Sequence, residues 1–288
     1  MISNILHRQI LTNGLHLHVV LAGPEEGMPV ILLHGFPEFW YGWRHQIPAL
    51  AEAGYRVWVP DQRGYNLSDK PRGITAYTLD ALSGDILGLI EATGREKAVV
   101  VGHDWGGAVA WWLAGLHPER IEKLIILNSP HGTVMRRHLR RNLRQLRRSW
   151  YFLFFQIPFL PERLMRLGNW VLLTRTLIRT SRKGTFSPAD LEHYRAAWSK
   201  PGAMTAMINW YRAVMQKRPH RIARREISVP TLLIWGVRDA FLGVELAQPS
   251  IEFCSRGRLE LIDGATHWVA QEEPKRVNRL MLNFLNTH

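Results

Sequence analysis

Cysteine is all but missing from this chain: Cys254 stands alone among 288 residues, so no intramolecular disulfide can form. A chain this poor in thiols fits a reducing compartment, and a cytoplasmic protein is expected. No secretory leader is expected either, since Met1-Ile2-Ser3-Asn4-Ile5-Leu6-His7-Arg8 has no basic region followed by an apolar one. The longest aromatic-apolar run, Trp150 to Leu160, is broken by Gln156 and Pro158. It falls well short of the roughly 20 residues a spanning helix needs, so a soluble protein is expected. No internal repeat or low-complexity tract appears, which excludes solenoid and fibrous architectures. Acidic residues are scarce in one place only. Residues 132–225 hold 21 Lys and Arg against three Asp and Glu, while the rest of the chain holds 16 against 21. The net charge of +13 therefore belongs to a single segment.

What is present is ample material for a core: 46% hydrophobic residues and 12 tryptophans. Short apolar runs recur with helical patterns between them, which predicts a mostly parallel sheet covered on both faces. Eight strands are expected. Ile5–Thr12 and Leu15–Leu21 flank Asn13-Gly14, a hairpin signal. Val30–Leu33, Tyr55–Pro60, Ala98–Val101, Leu124–Leu127, Thr231–Trp235 and Arg258–Ile262 follow, and Pro274–Leu285 reads as the last helix. About a hundred residues between Leu127 and Thr231 offer several helical patterns, many aromatics and no good strand. The simplest account is a sheet domain of residues 1–131 and 226–288 with a helical cap, 132–225, inserted into it. The basic segment and the insertion are then the same piece.

The most informative stretch runs from Ala98 to Ala110, where a Val-rich strand leads through Gly102-His103-Asp104-Trp105-Gly106-Gly107 into a helix from Ala108. Gly-x-Asp-x-Gly has the spacing of a nucleophile elbow, with Asp104 where serine usually stands. Small flanking residues let a strand turn straight into a helix, and the apex side chain stands above the sheet edge at a helix N-terminus that favours an anion. The change from serine alters the chemistry. A carboxylate accepts acyl groups poorly but displaces well at saturated carbon, forming an alkyl ester that water later cleaves. Asp104 therefore points to opening an epoxide or expelling a halide.

Cleaving that ester requires a base, a group that orients the base, and N–H donors for the oxyanion. Chains built on such an elbow carry nucleophile, acid and histidine in that order, each past the end of a strand. Asp239 follows Thr231-Leu232-Leu233-Ile234-Trp235-Gly236, and His267 follows Arg258–Ile262 by a short loop. Asn128, past the preceding strand, is neutral, which favours Asp239 as the acid. The expected donors are the backbone N–H groups of Trp105 and of Phe36, in His34-Gly35-Phe36-Pro37. Pro37 has no N–H and restricts Phe36 to an extended conformation, so a tight, cis bond is expected there. His34 reads as a residue that holds loops together.

Together, His34-Gly35-Phe36-Pro37-Glu38, Asp61-Gln62-Arg63-Gly64-Tyr65-Asn66-Leu67-Ser68-Asp69-Lys70-Pro71 and the Gly102–Gly107 elbow resemble the epoxide hydrolases of the α/β-hydrolase fold. Asn128-Ser129-Pro130-His131 and Asn209-Trp210-Tyr211-Arg212 add to the likeness, which covers nearly the whole chain. The resemblance implies an aspartate that attacks an epoxide carbon while cap tyrosines support the departing oxygen. Tyr211 matches one of these tyrosines. The place of the other falls near Phe154, and Tyr151, one helical turn earlier, is the alternative.

The expected activity is hydrolysis of hydrophobic epoxides to vicinal diols with no metal and no organic cofactor. Trp105, Phe36, Pro37, Phe154, Phe155, Trp150 and Trp210 are the expected substrate-binding residues, forming an apolar pocket. The rival activity is haloalkane or haloacid dehalogenation by the same triad; the haloalkane type usually has asparagine at the Phe36 position, and the haloacid type arginine at the Trp105 position. A non-enzymatic alternative is a small-molecule receptor or a membrane-docking protein. In the basic segment, Arg136, Arg137, Arg140, Arg141, Arg144, Arg147 and Arg148 interleave with Leu139, Leu143 and Leu146 at helical spacing. That reads first as a solvated outer face, with weak contact to an anionic membrane surface as the alternative. Nothing resembles a nucleic-acid module. The chain is expected to be a monomer or a homodimer.

Overall fold

The computed structural model describes residues 5–216 and 226–287. The far end of the basic segment, 217–225, and the first residues of the N-terminus lie outside the described residues.

Eight strands form one sheet: β1 (Leu6–Thr12), β2 (Leu15–Ala22), β3 (Pro29–Leu33), β4 (Arg56–Pro60), β5 (Ala98–His103), β6 (Ile121–Leu127), β7 (Thr231–Gly236) and β8 (Gly257–Ile262). Their order is β1-β2-β4-β3-β5-β6-β7-β8. β1 and β2 pair antiparallel through the Asn13-Gly14 turn, where both residues take positive φ, and β2 meets β4 antiparallel. All the remaining pairs are parallel.

Successive residues of the central strands point to opposite faces, and each face has its own core. Ile31, Leu33, Val100 and Ile126 lie with α2 (Leu79–Ala92) and α3 (Trp105–Leu116) on one side. Val30, Leu32, Val99 and Ile125 lie with α1 (Gln46–Glu52) and the C-terminal helix (Pro274–Leu285) on the other. Burial on both faces is why these strands read as continuous apolar runs rather than alternating ones.

Two boundaries depart from expectation by three residues, the other strand ends by two at most. α3 begins at Trp105 rather than Ala108, because Gly106 and Gly107, weak helix formers, sit in its first turn where close packing on the sheet requires them. β6 begins at Ile121 rather than Leu124, its polar Glu122 and Lys123 lying on the less buried entry to the sheet.

The chain leaves the sheet after β6 and rejoins it at β7. Between them lie α4 (Gly132–Arg141), α5 (Leu143–Arg148), α6 (Trp150–Phe154), α7 (Leu160–Thr180), α8 (Pro188–Trp198) and α9 (Ala203–Gln216). α7 is interrupted at Leu167–Trp170, where the backbone is non-helical. Aromatic side chains fasten this segment to loops past the strand ends. Trp198 Nε1 donates to Pro37 O, Tyr194 Oη to Glu38 Oε1 and Trp210 Nε1 to Arg63 O. Among the described residues, no helix is long and apolar enough to cross a membrane.

Candidate active site

Asp104 caps α3 with φ 50 and ψ −118, a conformation that non-glycine residues avoid unless their surroundings enforce it. The surroundings here do so. Asp104 N–H donates to Leu127 O, Ser129 Oγ donates to Asp104 O at 2.7 Å, and Trp111 Nε1 holds the Ser129 carbonyl. A Cβ on Gly35 would collide with the Asp104 carboxylate, so only glycine lets the β3 loop pass that close.

The two carboxylate oxygens meet different partners. Oδ1 accepts the Phe36 N–H at 2.9 Å, and Oδ2 stands 3.7 Å from His267 Nε2. The Trp105 N–H is the first of α3 and has no partner within that helix. The Phe36–Pro37 bond is cis. His34 is buried behind this loop, where its Nε2 accepts the Gln62 N–H.

His267 is 2% exposed, and its Nδ1 donates to Asp239 Oδ2 at 2.7 Å. Asp239 in turn accepts from the N–H groups of Phe241 and Leu242 and from Asn128 Nδ2. Asn128 also exchanges hydrogen bonds with both backbone groups of Gly236, so it braces the acid at the end of β7. Burial opposes the charge of Asp239, yet His267 and these donors hold its pKa below the ordinary value. Burial likewise opposes a proton on His267, but Asp239, Asp104 and Glu38 outweigh it and raise the pKa to about 9. The resting imidazole is therefore charged at neutral pH.

Above the carboxylate lie the rings of Tyr151 and Tyr211, with centroids 5.7 Å apart. Tyr211 packs edge-on against Trp105, Phe36 and Phe155. Burial first, then neighbouring acidic groups including Asp104, pushes the pKa of both tyrosines well above the ordinary value. Both hydroxyls stay protonated and able to donate. The four residues Asn209-Trp210-Tyr211-Arg212 divide their tasks on α9. Trp210 reaches the core loop, while Arg212 donates to Glu162, Phe155 O, Ile157 O and Asn209, clamping the turn that follows α6.

A cavity of about 210 Å³ adjoins Asp104, Trp105, Tyr151, Phe152, Tyr211 and Leu242, and extends past Trp111, Met135, Leu139 and Met215. Several expected pocket residues stand elsewhere. Trp150 is 62% exposed and packs at a tilt against Phe154, and neither borders the cavity. α6 has only five residues, and its inward positions are Tyr151 and Phe152. Phe155 and Trp210 form a layer behind Tyr211 and Trp105, Phe36 packs on Tyr211, and Pro37 serves through its carbonyl. Phe152, Met135 and Leu139 lie outside the expected lining, because which faces of α4 and of the short α6 turn inward is set by docking. Phe241, whose ring lies 5.2 Å from His267, carried no signal at all.

A strand-to-helix elbow bearing a carboxylate, with a histidine and a second aspartate past later strands, defines a hydrolase that uses an aspartate in place of serine. Residues 28–274 match the family described as alpha/beta hydrolase fold. The AB hydrolase superfamily protein YfhM of Bacillus subtilis is 48% identical, over 95% of this chain and 96% of its own. Epoxide hydrolase A of Mycobacterium tuberculosis is 37% identical over 96% of each chain. A point mutant of an epoxide hydrolase of Bacillus megaterium, solved with its product, a naphthyloxy-propane-1,2-diol, superposes with a TM-score of 0.87 at 32% identity, covering 97% of this chain and all of the other. The chain belongs to the epoxide hydrolase family of the α/β-hydrolase fold.

Proposed function

We propose that this protein hydrolyses hydrophobic epoxides to vicinal diols through a covalent ester on Asp104. The observation that carries this reading is the division of labour in one carboxylate, with Oδ1 held by a backbone N–H and Oδ2 free of such donors and facing His267. Oδ2 attacks a ring carbon. The carbon–oxygen bond of the epoxide breaks, and its electron pair goes to the ring oxygen, which takes a proton from Tyr211 with Tyr151 as the second donor. An alkyl ester remains, and the charge of Asp104 has gone.

That loss matters for the next step. Asp104 is one of the groups that raise the His267 pKa, so esterification lowers it; the imidazolium gives up its proton, which restores the Tyr211 hydroxyl, and Nε2 is free to act as a base. His267 takes a proton from water, and the hydroxide adds to the ester carbonyl carbon. Charge gathers on Oδ1, where the Phe36 and Trp105 N–H groups stabilise it. Collapse expels the diol, whose oxygen takes the proton from His267; the new Asp104 carboxyl gives its own proton to the imidazole, and Asp239 steadies the imidazolium whenever it forms.

Residues 132–225 act in this reading as a cap that supplies the tyrosines and closes the cavity. The substrates are hydrophobic epoxides, in keeping with the aromatic lining and with the naphthyloxy diol that the Bacillus megaterium enzyme holds. Dehalogenation leaves Tyr151 and Tyr211 without a task, because halide departs as an anion.

His267→Gln keeps the first step and removes the second. With styrene oxide, intact-protein mass spectrometry should show one added substrate mass, and Asp104→Asn should show none while losing turnover by on the order of 10⁴-fold or more. A His267→Gln protein that stays unmodified after long incubation overturns the covalent route.

A further inference from the structure

The outer side of the insertion is as unusual as its inner side. Gln145 is the one buried residue of α5, and its side chain reaches inward to Phe241 O and the Gly243 N–H. That contact fixes which way the helix faces. On the outside, Leu143, Leu146, Trp150, Leu153 and Ile157 recur at alternating intervals of three and four residues through α5, α6 and the following turn. Their exposures are 73%, 45%, 62%, 63% and 43%, and Phe159 beyond them reaches 75%.

Helical segments ordinarily turn such a stripe toward the core. Here Tyr151, Phe152 and Phe155 already fill that role, so the second stripe is surplus to the fold. Single exposed apolar side chains need no explanation, whereas a contiguous stripe does.

Cations accompany it. Arg137, Arg140, Arg141, Arg144 and Arg147 are all exposed along α4 and α5. From Gly132 to Pro161 the sequence contains no Asp or Glu, so no carboxylate in that stretch neutralises them. A second copy of the chain is a poor occupant, because a two-fold contact would set the same arginines against each other. An anionic lipid surface meets both features at once. Apolar side chains enter the boundary between headgroups and acyl chains, Trp150 suits that depth, and the arginines reach lipid phosphates.

We propose that this face docks the protein on anionic bilayers, with the Leu143–Ile157 stripe immersed and the α4–α5 arginines on the headgroups. α4 also lends Met135 and Leu139 to the cavity, and Met215, 51% exposed, borders it as well. Docking therefore brings the cavity close to a reservoir of apolar compounds. The surface does not depend on the chemistry proposed for Asp104, and its test needs no substrate.

The full chain is sedimented with vesicles of phosphatidylcholine alone or mixed with phosphatidylglycerol, at low and high salt. Pelleting is expected with the mixed vesicles only, weakening as salt screens the charges. Leu143→Ser/Leu153→Ser and Arg140→Glu/Arg144→Glu should each cut the bound fraction by about tenfold with an unchanged circular dichroism spectrum. No pelleting of the wild type at low salt overturns the proposal. So does binding indifferent to the leucine pair, which is plain charge attraction, or binding to duplex DNA that outcompetes the vesicles. A dimer in light scattering that the leucine pair dissolves overturns it in favour of a second copy.

Discussion

The sheet domain and the helical insertion bring their side chains to the same cavity by different means. In the sheet, Asp104, Asp239 and His267 each follow a parallel strand, and neighbouring backbone groups and buried polar side chains fix them. In the insertion, Tyr151 and Tyr211 are held by other aromatic rings and by one buried ion pair, Arg212 with Glu162. The first arrangement is specified strand by strand. The second exists only when α6 and α9 pack together. Precision in the sheet comes from backbone geometry, and in the insertion from packing.

Tyr211→Phe strikes the contrast hardest. It leaves the triad intact, so epoxide turnover should fall about 10²-fold or more in pre-steady-state ester formation, with ester hydrolysis unchanged. An equal loss in both steps would make the insertion part of the hydrolytic machinery rather than of ring opening.

Arg212→Met tests the packing itself. Glu162, 8% exposed, would be left as a buried charge without its partner, which costs about 3–5 kcal/mol. Chemical denaturation should register that loss, and turnover should fall with it because the turn after α6 loses its clamp. The same measurement on a sheet surface variant should show almost nothing.

The pH dependence of stability belongs to the sheet side. The folded pKa of His267 is raised to about 9 from 6.5, so its contribution is complete below pH 6.5 and disappears as pH rises through 9. Unfolding free energies of the wild type from urea titrations should drop across that window by on the order of 3 kcal/mol at most, and less in His267→Gln. Asp239 acts in the opposite sense, its stabilisation being lost under acid.

The smallest effect separates the two sides of α6. With a freely soluble epoxide, Trp150→Ala should leave turnover and stability nearly unchanged, within about 0.5 kcal/mol. Phe152→Ala should raise KM, since that ring lines the cavity. Equal effects would mean that α6 turns both faces to substrate.

The legibility of the molecule follows the same division. The eight strands, the Asn13-Gly14 hairpin and the cis Phe36–Pro37 bond were readable because each depends on local pattern or local sterics. In the sequence Asn128 shows only that an acid is missing there; its bracing of Asp239 depends on β6 and β7 being neighbours. Trp150 and Phe154 were expected in the pocket because aromatic residues concentrate there. Which of five successive aromatic or apolar side chains turns inward depends on the phase of a short helix, and that phase is set by its docking.

By itself the sequence determined the chemistry's address: a carboxylate at a strand-to-helix turn, followed by an acid and a histidine at later strand ends. Those relations are short-range, because strand, turn and helix are neighbours along the chain. Only the tertiary structure decided which oxygen of Asp104 meets Phe36 and which meets His267, which tyrosine stands beside Tyr211, and which apolar stripe stays in water. Each of those depends on segments tens to hundreds of residues apart, and their relative placement is a property of the packed whole rather than of any local pattern.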